Sequence, residues 1–183
     1  EMKRNNENIN DFIPYKLEDI NCDIPYDISN LDSAIISKLR LMTAEDLQNI
    51  SEVTEGIENR ILSSANMSYS FETLVENVKN KRYTTSKIRR MIISALIGFT
   101  KDIYSPMPQY IRILGMNKVG MTILKQAKGI CKVPIITKTA DFKEQSPQFN
   151  LDVRATNIAM LCNPIPTHRI GNADLKKSPI IMK

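Results

Sequence analysis

Histidine occurs once in this chain, at His168, and tryptophan not at all; the three cysteines, Cys22, Cys131 and Cys162, stand far apart. A single histidine excludes a two-histidine zinc site and leaves any Ser-His-Asp arrangement one possible base. That base lies in "NPIPTHRIGN", a proline-rich loop where a solvated imidazole is the simpler reading, which weighs against a hydrolase. The cysteines are odd in number and lack the paired spacing of a zinc site, so they read as reduced thiols of a cytoplasmic protein. Glycine is also scarce, at Gly56, Gly98, Gly115, Gly120, Gly129 and Gly171, and forms neither GxxxxGK[ST] nor GxGxxG, so no phosphate loop of either type is visible. No run approaches the roughly 18 apolar residues of a membrane helix, and the opening "EMKRNNENIN" has no signal-peptide core. No membrane is expected. A start at Glu1 followed by Met2 fits a piece cut from a longer chain.

What is present is ordinary globular material: 183 residues, 42% hydrophobic, enough for one substantial core or a core plus a smaller lobe. The net charge of +5 is unevenly spread. Residues 1–60 carry a balance of −7 and residues 61–183 a balance of +12. Either the acidic part folds back on the basic part, or the basic part meets an outside anion, of which nucleic acid is the commonest.

Periodicity predicts a mainly α fold, a helical bundle with a small β element, α+β overall. Residues 1–49 read as a lead-in of irregular chain (1–30) and short helices, with Asn30 or Asp32 as a cap and Thr43 with Asp46 as a near capping box. Residues 50–183 read as the main domain. It opens on a helix over "SEVTEGIENRILSSANM", followed by one capped by Ser70 and a long one over roughly 85–104 capped by Thr84 or Thr85. "YIRILGM" and "VPIITK" then flank a helical "NKVGMTILKQAKGI", the size of a parallel βαβ unit around 110–138. A helix over 150–162 and a last strand or anchored tail in "KKSPIIMK" close the pattern.

The stretch "KNKRYTTSKIRR" sets six Lys or Arg among twelve residues at the start of the long helix, the end where the macrodipole is already positive. Unpartnered N–H groups, cations and hydroxyls together make a phosphate site. Lys81, Arg82, Thr84, Lys87, Arg89 and Arg90 are therefore candidate RNA or phosphate contacts, with Arg112 either a further surface contact or an internal partner. Tyr83 reads as a core anchor before a base-stacking ring. The competing structural reading has Glu55 and Glu58 pairing Arg82, Arg89 or Arg90, while Gly56 lets another helix pack closely and Asn59 lies opposite the buried stripe. No catalytic residue or metal ligand emerges.

In order, "EGIENRI", "VKNKRYTTSKIRRMIISALIG", "YIRILGMNKVG", "VPIITK" and "KKSPIIM" resemble the C-terminal half of the tRNA(Met) cytidine acetate ligase family, over roughly residues 50–183. The resemblance implies an enzyme whose N-terminal nucleotidyltransferase domain, absent from this chain, binds ATP with magnesium and makes acetyl-adenylate. The acetyl group then passes to N4 of the wobble cytidine of elongator tRNA(Met), giving N4-acetylcytidine. A His-x-Gly-His signature would belong to that N-terminal domain, with which this chain would associate. The chain itself would hold the tRNA, bind no cofactor and be inactive alone. The alternative is a helical interaction module docking an acidic partner domain, without a nucleic-acid role.

Overall fold

The structure is a computed structural model, and it describes residues 26–54, 56–142, 146–176 and 178–182. Most of the expected lead-in, including Cys22, lies outside the described residues.

Five helices build the core: α1 (Asp32–Arg40), α2 (Ala44–Gln48), α3 (Glu58–Met67), α4 (Phe71–Val78) and α5 (Thr85–Ile97). Their apolar stripes meet in one cluster in which Ile35, Leu47, Ile61, Leu74, Val75, Ile88 and Met91 are wholly buried. Each such side chain contributes about 1.5–3 kcal/mol over leaving it in water. α1 and α2 share this cluster with the later helices, so no break in the core falls at residue 49. A longer helix, α7 (Pro147–Met160), packs on α5 and delivers Cys162 to the same cluster.

Local side-chain bonds place the helix starts. Thr43 with Asp46 and Ser70 with Thr73 close capping boxes on α2 and α4. The expected cap on α1 is not made: Asp27 caps a 3-10 turn at Ile28–Leu31, and the Asp32 carboxylate accepts instead from the first N–H of α4, at Phe71, across 2.8 Å. Two arginines finish helices other than their own. Arg40 donates to the carbonyls of Ala65, Asn66 and Ser68 at the C-terminal end of α3, and Arg60 to those of Asn77, Val78 and Lys79 at the C-terminal end of α4.

The helix expected from Ser51 begins only at Glu58, because Gly56 takes a left-handed φ of 91° that ends any helical run. Nothing lies within 4 Å of where its Cβ would be, so close helix packing is not the reason for glycine there. α5 stops at Ile97 rather than near 104, since Gly98 adopts φ 72° as a left-handed cap.

Beyond α5 the expected βαβ pattern forms with a difference. Strand β1 (Ile111–Arg112) pairs in parallel with β3 (Ile135–Ile136), and α6 (Lys118–Ile130) lies between them in the chain. "YIRILGM" is not one strand, however. Its second part is β2 (Gly115–Met116), which pairs in parallel with the last strand β4 (Ile180–Ile181) in a separate sheet. Gly115 suits that junction: a Cβ would stand a tight 3.2 Å from the Ile180 carbonyl oxygen. Tyr110, Phe142 and Phe149 form an aromatic cluster beside β1, and the Tyr110 hydroxyl donates to Asp152. Burial first, then that bond, raises its pKa. A short helix, α8 (Ala173–Lys176), covers this end.

Candidate nucleic-acid interface

The turn before α5 is built by Asn80, whose side-chain oxygen accepts from the N–H groups of Arg82 (2.8 Å) and Tyr83 (3.0 Å). Tyr83 then turns inward, 8% exposed, with its hydroxyl 2.8 Å from Thr54 Oγ1. It is a core anchor, as expected. Thr84 caps α5 by accepting from the Lys87 N–H at 3.3 Å, and no acidic residue occupies the first turn.

How the cluster's positive charge is offset differs from residue to residue. The Arg82 guanidinium and the Lys87 ammonium stand 5.4 and 5.2 Å from the centroid of the Tyr83 ring, whose electron-rich face offsets part of their repulsion. Arg89 pairs with Glu72 on α4 and stands over Phe71, while Arg90 Nε lies 3.5 Å from Glu52. Arg112 belongs elsewhere. Its guanidinium forms a two-pronged bond, 2.6 and 2.7 Å, to the buried Asp174, which raises the arginine pKa further. Lys81, Arg82 and Lys87 have no carboxylate partner among the described residues.

Glu58, expected to neutralise the arginines, does not reach them. It is buried and accepts from the Gln48 amide (3.0 Å) and the Gly56 N–H (2.8 Å). Its own backbone N–H first, then Gln48, holds its carboxyl below the usual carboxylate range. The acids that do the pairing, Glu52 and Glu72, come from the turn before α3 and from α4. Glu55 lies outside the described residues, and Asn59 is exposed on α3.

An open groove of about 380 Å³ runs beside the α5 start, lined by Ser51, Glu52, Thr54, Lys87, Lys101 and Tyr104. Its two walls are tied together: Ser51 N–H donates to the Phe99 carbonyl (2.9 Å), Lys101 N–H to the Asn49 carbonyl (2.8 Å), and Ile50 bridges Thr100. Lys101 and Tyr104 were hidden in the sequence inside an over-long helix. Gly98, read as a helix C-cap, would have released them into a loop. Among the described residues no cluster of His, Cys, Asp and Glu could hold a metal ion, and no helix is long and apolar enough to cross a membrane.

A profile of the family described as HIGH Nucleotidyl Transferase matches residues 1–174. The chain belongs to this family. The match extends through the first 49 residues, which the resemblance left out, so the nucleotidyltransferase relationship falls on this chain itself and is not confined to a part outside it. The tRNA(Met) cytidine acetate ligase of Acetivibrio thermocellus is 35% identical, covering 81% of this chain and 38% of that protein. The ligase of the same name from Thermosipho africanus is 34% identical over 87% of this chain and 43% of its own length. Thermotoga maritima TmcAL, solved with alpha-thio ATP, superposes with a TM-score of 0.73 at 29% identity, covering 84% of this chain and 41% of that one. The chain thus spans about two fifths of the length of the relatives it matches.

Proposed function

We propose that this chain is the tRNA-holding part, C-terminal in the family's longer proteins, of an ATP-dependent ligase that acetylates N4 of the wobble cytidine of elongator tRNA(Met). In that reaction an acetate oxygen attacks the α-phosphorus of ATP, pyrophosphate leaves, and the cytidine amine then displaces AMP from the acetyl carbon and loses a proton. The relatives' name and the nucleotide in the solved neighbour support that chemistry. The chain holds one histidine, the exposed His168, so it cannot by itself supply a two-histidine signature.

The observation that carries the tRNA role is the acid-free start of α5, where Lys81, Arg82 and Lys87 have no carboxylate partner among the described residues. Internal acids would cancel such charge if its purpose were only structural. A phosphate there meets the helix dipole, N–H groups left over by the helix and three cations at once. Contacts of this kind fix the register of an RNA and leave the base to be read elsewhere. An anticodon base is already outside a duplex, so presenting its amine costs little unpairing energy.

The test is anisotropy with labelled elongator tRNA(Met), against an equally charged polyanion, over a range of salt. The triple variant K81E/R82E/K87E is expected to bind at least about tenfold more weakly and to lose about 2–3 from the log–log salt slope, at near-parental melting temperature. Reversing Arg89 and Arg90 should do less, because Glu72 and Glu52 already partner them. Parental affinity in the triple variant would refute the tRNA role, and so would equal affinity of the parent for the polyanion.

A further inference from the structure

We infer that the groove between the Ser51–Thr54 turn and the Lys101–Tyr104 loop takes a single unpaired ribonucleotide of a bound RNA, an inference that rests on the tRNA-holding role proposed above. Several observations converge. Lys87 and Lys101 both line the groove, and neither has a carboxylate partner among the described residues. They offer two ammonium groups to one phosphate. Tyr104 is 62% exposed, so an aromatic ring of substantial area stands in water at the groove wall with no ring stacked on it among the described residues. Exposed aromatics flanked by cations are how proteins hold single-stranded nucleic acid, by stacking bases and tracking the backbone. The groove's volume, about 380 Å³, falls in the range of about 300–1,000 Å³ typical of small-molecule sites.

The hydroxyls of Ser51 and Thr54 add polar partners for a sugar. Glu52, whose Oε2 pairs Arg90 at 3.5 Å, has a second carboxylate oxygen as acceptor for the exocyclic amino group of cytosine, adenine or guanine, where uracil offers only its ring N3–H. The platform is rigid. The backbone bonds between 49–51 and 99–101 hold the tyrosine loop against the turn that carries Glu52, so the site exists before RNA arrives. Lys87 belongs both to this groove and to the α5 start, which makes the groove continuous with the phosphate-binding face.

Fluorescein-labelled five-residue oligonucleotides rC5, rA5 and rU5, followed by anisotropy with the whole chain, test this directly. Tyr104→Ala should weaken rC5 and rA5 about 5- to 100-fold, while Tyr104→Phe, which keeps the ring, stays within about twofold of the parent. Lys101→Ala should lower the salt slope by a little under one, and rU5 should bind more weakly than rC5. Because Tyr104 lies in an exposed turn, melting of the alanine variant is expected at the parental temperature. Unchanged oligonucleotide affinity in Y104A would overturn the groove assignment, while the tRNA-holding role survives if K81E/R82E/K87E still weakens tRNA. Saturable micromolar binding of free AMP or CMP by calorimetry would also overturn it, by making this a free-nucleotide site. Failure of the parent to prefer tRNA over the polyanion would remove both.

Discussion

Arg112 and Asp174 stand 62 residues apart in the chain and make a close charged contact, with side chains only 23% and 8% exposed. Read from sequence, Arg112 could be a surface contact or an internal partner, because nothing in the residues around 112 announces an acid so far along. Proteins spend several kcal/mol to bury such a pair, and removing one member leaves the other charge uncompensated. Asp174→Ala is therefore expected to lower unfolding free energy by about 3 kcal/mol in urea titrations while leaving tRNA affinity per folded molecule unchanged. A stable variant with weakened tRNA binding would return Arg112 to the RNA face. The same limit explains Glu58, whose partner Gln48 comes from another helix. Tyr83, by contrast, was legible as an anchor because its place just before an apolar helix already implied an inward direction.

At the scale of elements, starts were easier to read than ends. Thr43, Ser70 and Thr84 cap as the spacing predicts, since a cap is a bond across three residues and needs no tertiary fold. The end of α5 was missed although Gly98 marks it, because the apolar Phe99 and Ile103 carried the helical pattern past the glycine. Element starts also set a pH response. Asp46 on α2 accepts from the Thr43 N–H and then the Thr43 hydroxyl, and both Asp46 and Glu58 are held below their usual carboxylate values. A depressed folded-state pKa stabilises the fold above the unfolded value, and that contribution is lost as pH falls through the window between the two. Melting temperature should accordingly be flat from these groups above about pH 5 and decline below it, with the decline shallower in a D46N/E58Q double variant. Identical acid profiles for parent and double variant would contradict this.

Across the whole molecule, the helices through α5 share a continuous core, whereas α6 contributes no fully buried side chain and leaves Val119, Ile123 and Ile130 at 67%, 60% and 82% exposure. Its amphipathic period made the helix easy to predict, yet periodicity says only that one face is apolar, not that a partner covers it. Hydrogen exchange should divide accordingly: α6 amides of the isolated chain exchange through local opening, at least about tenfold faster than those of α5. Equal protection in the two helices would show that α6 is held by more than the contacts seen here. The basic cluster was similarly visible as composition, while the sorting of its members into paired and unpaired cations needed the fold.

The pairing of β2 with β4 also has a consequence in time. Gly115 lies opposite Ile180, so at synthesis rates of about 5–20 residues per second the first strand leaves the ribosome roughly 3–13 s before its partner exists. By then the α1–α5 helices have been made and can collapse on their own apolar stripes, while Leu114 and Met116 wait beside an open strand edge. That delay is a window in which a nascent chain is exposed to chaperones and to its own neighbours on a polysome, and it closes only when Ile180 and Ile181 arrive.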